Sequence, residues 1–232
     1  YNDSMKFLFE EENVYDFAGG TGTMENPYKI ETMFHLNNVR HYLDAHFIQM
    51  NDIDLTEATA DNGILGAWQS IGTSSDEFTG SYDGGENVIK GLQGKSLFKY
   101  IGENGVVQNL GMVDGKVFSS DDSSAAGIAQ LNYGTISNCY NTGNATATSY
   151  WNCYDSGGIA GSNYGTISNC YNIGNVASLL YSHYSGGIAG SNYGTINNCY
   201  NTGNVTAKCD SSGGIAAVSY THLRAHETGA YL

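Results

Sequence analysis

Asp52 and Asp54 stand two residues apart in HFIQMNDIDL, a stretch that alternates polar and apolar residues as a strand does, so both carboxylates are expected on one strand face. Two carboxylates flanking a bond are what glycoside hydrolysis requires, and a neighbouring Lys or Arg would complete such a site. The commoner role of such a pair is a solvated sheet edge. Asp83, followed by Gly84 and Gly85, has the composition of a turn. His35, His41 and His46 run from a helix surface into a strand without a dependable ligand spacing. The segment AHETG at 225–229 touches the zinc-peptidase theme, but Gly229 and Ala230 follow where His-Glu-x-x-His would place its second histidine. The expectation is no catalytic residue, no metal and no cofactor.

Five cysteines are an odd number, so at least one is unpaired within the chain. Cys139, Cys170 and Cys199 occupy one position of a repeat. Side chains that stack in parallel suit the disulfide dihedral poorly, so these three are expected to fill space as small apolar groups. Cys153 and Cys209 fall in variable segments. Tyrosine offers a flat apolar face and a polar edge, which suits sugar rings. Tyr150, Tyr154, Tyr181 and Tyr184 lie in those variable segments and are the candidate ligand contacts. Tyr133, Tyr164 and Tyr193 share a repeat position, where mutual stacking is the expected use. The sequons at Asn144 and Asn204 recur because the repeat recurs and are not read as glycosylation sites.

What must position these residues is the repeat. The block GGIAGSNYGTISNCYN at 157–172 returns at 186–201 with one change, Ser168 to Asn197, and an imperfect copy occupies 126–141. The tripeptide Gly-Ile-Ala begins at Gly127, Gly158, Gly187 and Gly214, spacings of 31, 29 and 27 residues. The variation is confined to one segment, ATATSYWNCYDS in one copy and ASLLYSHYS in the next, as expected of a structural unit with one tolerant loop. Gly, Asn, Ser, Thr and Tyr avoid helix interiors, which excludes helical repeats of this length. Calcium-binding nonapeptide rolls need an Asp in each repeat, whereas Asp155 is the only charged residue between Ala126 and Ala207. Brief strands broken by Asn-Gly punctuation remain. One unit buries too few apolar side chains to offset the ordering of its backbone, so copies must stack. Stacking brings identical residues into columns: Ile136, Ile167, Ile196; Tyr140, Tyr171, Tyr200; Asn141, Asn172, Asn201. Asparagine columns can pass amide hydrogen bonds between rungs, while a charged column would repel itself.

Ahead of the repeats, Pro27 to Thr32 gives a short strand, and Met33, Leu36, Val39 and Leu43 follow at helical spacing behind Thr32 as N-cap. The expectation is a capping helix over 32–44, then less regular coils. The division expected is 1–16 as fragment start, 17–125 as cap and irregular coils, 126–216 as regular coils, and 217–232 as a tail. That tail, AVSYTHLRAHETGAYL, leaves the repeat pattern and looks like a translated sequencing adapter. The net charge is −14, with most acidic residues ahead of the repeats, which argues against nucleic acid or anionic lipid as partner. No apolar run reaches the length of a membrane helix, so no membrane insertion is expected. Tyr1 follows no initiator Met or leader, and the sequence reads as an internal piece of a larger polypeptide.

The motif order Gly-Gly-aliphatic, Asn-x-Gly-Thr-Ile and Tyr-x-x-Gly-Asn-Val in GGIAGSNYGTISNCYNTGNV-type copies resembles the GLUG-motif repeats of bacterial surface proteins. The stretches around GTGTMENPYKIET and FTGSYDGGENVIKGL resemble the leader that precedes them. The resemblance spans roughly residues 17–216. It implies an all-β, right-handed parallel β-helix outside the cell, in adhesin-like proteins or beside the metallopeptidase of immunoglobulin A1-cleaving enzymes. It implies no catalytic set. The expected function is a non-catalytic stalk or adhesin module whose partner is a glycan or a host surface protein. The alternatives are a β-helix carbohydrate-active enzyme with its site in the front half and a spacer beside a secreted metallopeptidase.

Overall fold

The computed structural model describes residues 17–119, 124–149, 155–180, 184–208, 211–219 and 223–224. All strand pairings among them are parallel, each joining one coil to the next, and together they form a β-solenoid of five sheets. The first sheet has eight strands, from Tyr28–Ile30 through Ser81–Asp83, Val106–Gln108, Thr135–Ser137 and Thr166–Ser168 to Leu223–Arg224. The second runs from Ile53–Asp54 through Gly111–Val113 and Tyr140–Asn141 to Tyr200–Asn201. The third includes Lys116–Ser119, Asn144–Ser149 and Val176–Leu180; the fourth runs from Ala125–Ala126 to Ser212–Gly213; the fifth from Phe98–Ile101 to Ala216–Ser219.

The register is the one the repeat demands. Ile136 pairs with Ile167 and Ile167 with Ile196; Tyr140 pairs with Tyr171 and Tyr171 with Tyr200. The corner between the first and second sheets is made by Asn109, Asn138, Asn169 and Asn198, all at φ between 49 and 53°. Asparagine is among the few residues that accept this left-handed region at small cost. At Gly165 a β-carbon would collide with the Gly134 carbonyl oxygen of the preceding coil, so the close approach itself requires glycine.

The core changes character along the axis. Its front is aromatic: Phe17 stacks on Tyr28 at 4.3 Å, Phe47 lies 6.3 Å from Phe78, and Phe78 lies 4.8 Å from Phe98. The regular coils replace rings with Ile128, Ile159, Ile188 and Ile215, with alanines and with the cysteines, all buried. Identical coils have equal cross-section, so one small repeated filler packs them all.

The helix expected over 32–44 is shorter. Helix α1 spans Met33–Asn38, with Thr32 Oγ1 accepting from the His35 amide at 3.2 Å, and a single 3-10 turn continues over Val39–His41. Tyr42 leaves the helical region, and the Leu43 carbonyl accepts from Thr79 and Gly80, which draws 43 into the next coil. Leu36 and Val39 are buried in the same core as the first rungs. Arg40 sits over the Trp68 ring at 5.1 Å, tying the 3-10 turn to the long connection before Ser81. The tail expected at 217–232 begins inside the ladder: Ala216–Ser219 pairs with Ala189–Asn192, and Leu223–Arg224 continues the first sheet. Among the described residues, no helix is long and apolar enough to cross a membrane.

Candidate functional site

Asp52, Asp54 and Asp83 each accept from a backbone amide. The shared strand face expected for Asp52 and Asp54 does not form, because the strand breaks at Met50 and resumes as Ile53–Asp54, leaving Asp52 at the corner. Asp52 Oδ1 accepts from the Val88 amide at 2.9 Å. Asp54 Oδ1 accepts from the Thr56 amide at 2.9 Å, with Lys90 Nζ 3.6 Å from its other oxygen. The bonds from Thr56, with a lesser contribution from Lys90, hold the Asp54 carboxyl below its ordinary value. Asp83 Oδ1 accepts from Gly85 and from Asn109 Nδ2, and Oδ2 from Gln108 Nε2, so its expected turn role is extended across two coils. His35 Nδ1 accepts from the Glu31 amide and His46 Nδ1 meets Ser81 Oγ at 2.7 Å. Among the described residues, no three His, Cys, Asp or Glu side chains converge as a metal site would require.

The cysteine column is buried and unbridged at Cys139, Cys170 and Cys199. Each thiol meets the carbonyl two residues before it, at 3.1 to 3.2 Å. The neighbouring thiol in the column, with burial added, pushes Cys170 and Cys199 above the ordinary thiol value. Both thiols therefore stay protonated at neutral pH.

Tyr150, Tyr154 and Tyr181 lie outside the described residues. Tyr184 is half-buried, and its carbonyl accepts from the Ser156 amide and from Ser178 Oγ. The repeat-position tyrosines stack as expected: Tyr133–Tyr164–Tyr193 at 4.8 and 4.7 Å, and Tyr140–Tyr171–Tyr200 at 4.9 and 5.0 Å, with ring planes within 10°. Such stacking covers the ring faces with one another and turns edges to solvent. Within a column no face is left for a sugar, and at its head the Tyr140 ring lies against Gly111, where a β-carbon would collide with it.

Between Tyr140 and the corner asparagines lies a second ladder that sequence reasoning missed. Asn198 Nδ2 donates to Asn169 Oδ1, Asn169 to Asn138 and Asn138 to Asn109, at 3.1 to 3.3 Å, and Asn109 donates to Asp83. The signal was present in Ser-Asn-Cys-Tyr at 137–140 against Gln-Asn-Leu-Gly at 108–111. That alignment also shows where the tyrosine column stops: Tyr140 pairs with Gly111. A cavity of about 280 Å³ opens there, lined by Glu86, Asn109, Leu110, Gly111, Asn138 and Tyr140. A second hollow of about 360 Å³ lies over Glu57, Asp61 and Gln93.

Residues 181–206 match the family model of the GLUG motif. The chain carries a GLUG motif. A protein of Evansella cellulosilytica, provisionally named a Gly-rich membrane protein, is 42% identical over 132 residues, which is 53% of this chain and 15% of that protein. The chain thus matches only a small part of that relative's length. A crystal structure from Bacteroides ovatus, provisionally described as an immunoglobulin A1 protease, superposes with a TM-score of 0.68 at 27% identity, covering 92% of this chain and 70% of the other. The GLUG repeat and the solenoid are therefore two views of one unit, the strand-and-corner rung.

Proposed function

We propose that this chain is a non-catalytic repeat module of a larger bacterial surface protein, standing outside the cell as a stalk or adhesin segment. The observation that carries the reading is the use of polar groups. Asn132, Asn163, Asn141 and Asn172 each donate to the next rung, and Asp52, Asp54 and Asp83 are bound to backbone amides or to corner side chains. A hydrolase or lyase would hold carboxylates ready for substrate; here they hold coils together. The unit division follows the same logic, with 17–125 as cap and irregular coils, 126–216 as the regular stack, and 217–232 as a tail that leaves the repeat sequence although its start pairs with the last coil.

The contact residues for a glycan or host surface protein are Tyr150, Tyr154, Tyr181 and Tyr184, which the repeat places at successive copies of one loop. The test is an incubation of the purified chain with a polysaccharide panel and with human immunoglobulin A1. The expected result is no new reducing ends, no unsaturated uronates and no cleaved heavy chain. Product formation that disappears in Asp52→Asn or Asp54→Asn would replace this reading with a β-helix carbohydrate-active enzyme. The similarity to the Bacteroides ovatus protein supports a second reading, a spacer beside a secreted metallopeptidase. Sequencing the complete gene separates the two: a His-Glu-x-x-His domain in the same frame favours the spacer.

A further inference from the structure

Between the coil that carries residues 98–119 and the coil that carries 129–149, four of the five sheets continue in register. Most of the side-chain links do not. Both buried asparagine ladders begin on the far side of this plane. Asn132 pairs with Ile101 and Asn141 with Met112, neither of which can donate a side-chain hydrogen bond. The amide bonds of 2.7 to 2.8 Å that join the following coils therefore have no counterpart here.

One atom records the loss. Among the described residues, Asn132 Oδ1 is the one buried side-chain polar atom without a hydrogen-bond partner. Its column neighbour toward the front is an isoleucine, whereas Asn163 Oδ1 and Asn192 Oδ1 each receive an amide from the coil before. A buried acceptor left unpaired weakens the interface at which it sits.

Other connections stop at the same plane. Tyr140 follows Gly111, and the pairing of Asn132 with Ile101 puts Tyr133 after Gly102, so both ring stacks start with the regular coils. The fourth sheet also starts here, at Ala125–Ala126. A single bond from the Ala126 amide to Ser96 Oγ at 3.0 Å stands in for its strand pair. Of the side-chain ladders only the exposed one at the corner crosses, from Asn138 to Asn109 at 3.1 Å.

The stability of a solenoid is close to a sum of coil terms and of interfaces between neighbours, so it divides where an interface has the fewest links. The two sides are also held differently. The front is closed at its outer end, where Ala18 and Gly19 bond to Lys29 and helix α1 sets Leu36 into one core with Phe47 and Phe78. The regular coils have no closing element at the plane and rest on the front instead.

We propose that this plane divides the solenoid into two folding units: a front, residues 17–119, that keeps its structure by itself, and a stack of regular coils from 125 onward that folds only upon the front. Chemical or mechanical stress on the chain then opens the stack and stops at the plane. This holds whatever the chain binds.

The test is native-state hydrogen exchange of the full chain, read by mass spectrometry at low urea. Amides of 98–108 are expected to be at least about tenfold better protected than those of 129–141, as loss of one or two interface hydrogen bonds implies. Amides of 129–141 and 160–172 are expected to exchange alike. Phe78→Leu, a change inside the front core, decides the coupling. It should lower protection of 98–108 about tenfold and leave 160–172 as in the parent, because the front stays folded in the state through which the stack exchanges. Phe47→Leu should do the same and serves if Phe78→Leu does not fold. Asn163→Ala, inside the stack, should lower protection in both regions, because complete unfolding includes loss of the stack. The proposal is overturned if protection rises evenly from coil to coil with no step between 129–141 and 98–108. It is equally overturned if the front variants speed exchange in both regions alike, as in a single cooperative unit.

Discussion

Asn172 receives a hydrogen bond from Asn141 Nδ2 at 2.8 Å on its Oδ1 and donates from Nδ2 to Asn201 Oδ1 at 2.8 Å, while being wholly buried. It also donates to the Gly174 carbonyl at 2.7 Å. One side chain thus joins three coils and closes its own turn. Asn172→Leu would orphan one Asn141 amide hydrogen and the Gly174 carbonyl, and would leave Asn201 Oδ1 with the Gly203 amide alone. At about 1–3 kcal/mol for each buried unsatisfied group, a loss of about 2 kcal/mol or more is expected in urea denaturation. A loss under about 1 kcal/mol would show that the ladder is ornamental to stability.

The exposed ladder at the corner behaves differently. Asn169 holds φ at 53°, so its contribution is conformational before it is a matter of hydrogen bonding. Asn169→Ala keeps the β-carbon but loses the local relief asparagine has, at about 1–2 kcal/mol, whereas Asn169→Gly removes both the amide and the conformational penalty. The expected order of stability is parent, then Gly, then Ala. Ala as stable as Gly or more so would show that the left-handed backbone is not what limits this position.

Much of this was legible in the sequence, and the reason is translation symmetry. A column in a solenoid is a repeat position, so Ile136, Cys139, Tyr140 and Asn141 could be stacked on paper, and the register follows. The face each tyrosine presents could not be read, because stacking of rings at 4.9 Å is a rotamer choice and not a spacing. The front half hid its pairings for a different reason. Its corners differ in length, so Asp52 and Asp54, neighbours in an alternating stretch, fall on either side of a turn and bind separate backbone amides. The packing of the Tyr140 ring on Gly111 was hidden because it replaces a missing member of the column.

The thiol column gives a kinetic prediction. Cys139, Cys170 and Cys199 are buried with relative exposures of 1, 1 and 2%. A thiol reagent must wait for the coils to open. In the folded chain at pH 8, Ellman's reagent should titrate at most the two remaining cysteines, and the other three should react only at the rate of unfolding or in denaturant. Five fast thiols would mean the column is open to solvent.

Alkaline pH should weaken the coils through their buried phenols and thiols. Burial pushes the Tyr82 phenol above its ordinary value, and burial together with neighbouring phenols does the same, more weakly, at Tyr171. Cys170 and Cys199 are raised by their neighbours in the thiol column and by burial. In each case the proton is held more tightly in the folded chain than in the unfolded one. Below the unfolded values, about 8.5 for Cys and 10 for Tyr, both states keep their protons and stability does not depend on these groups. Above them the unfolded chain releases protons first, so stability falls with rising pH through the folded values. Urea midpoints should therefore be flat from pH 7 to about 8.5 and then decline, and Cys170→Ala should flatten the first part of that decline. A midpoint that holds steady from pH 8.5 to 11 would show that the columns titrate as freely folded as unfolded, and that their packing excludes less water than the stacked geometry requires.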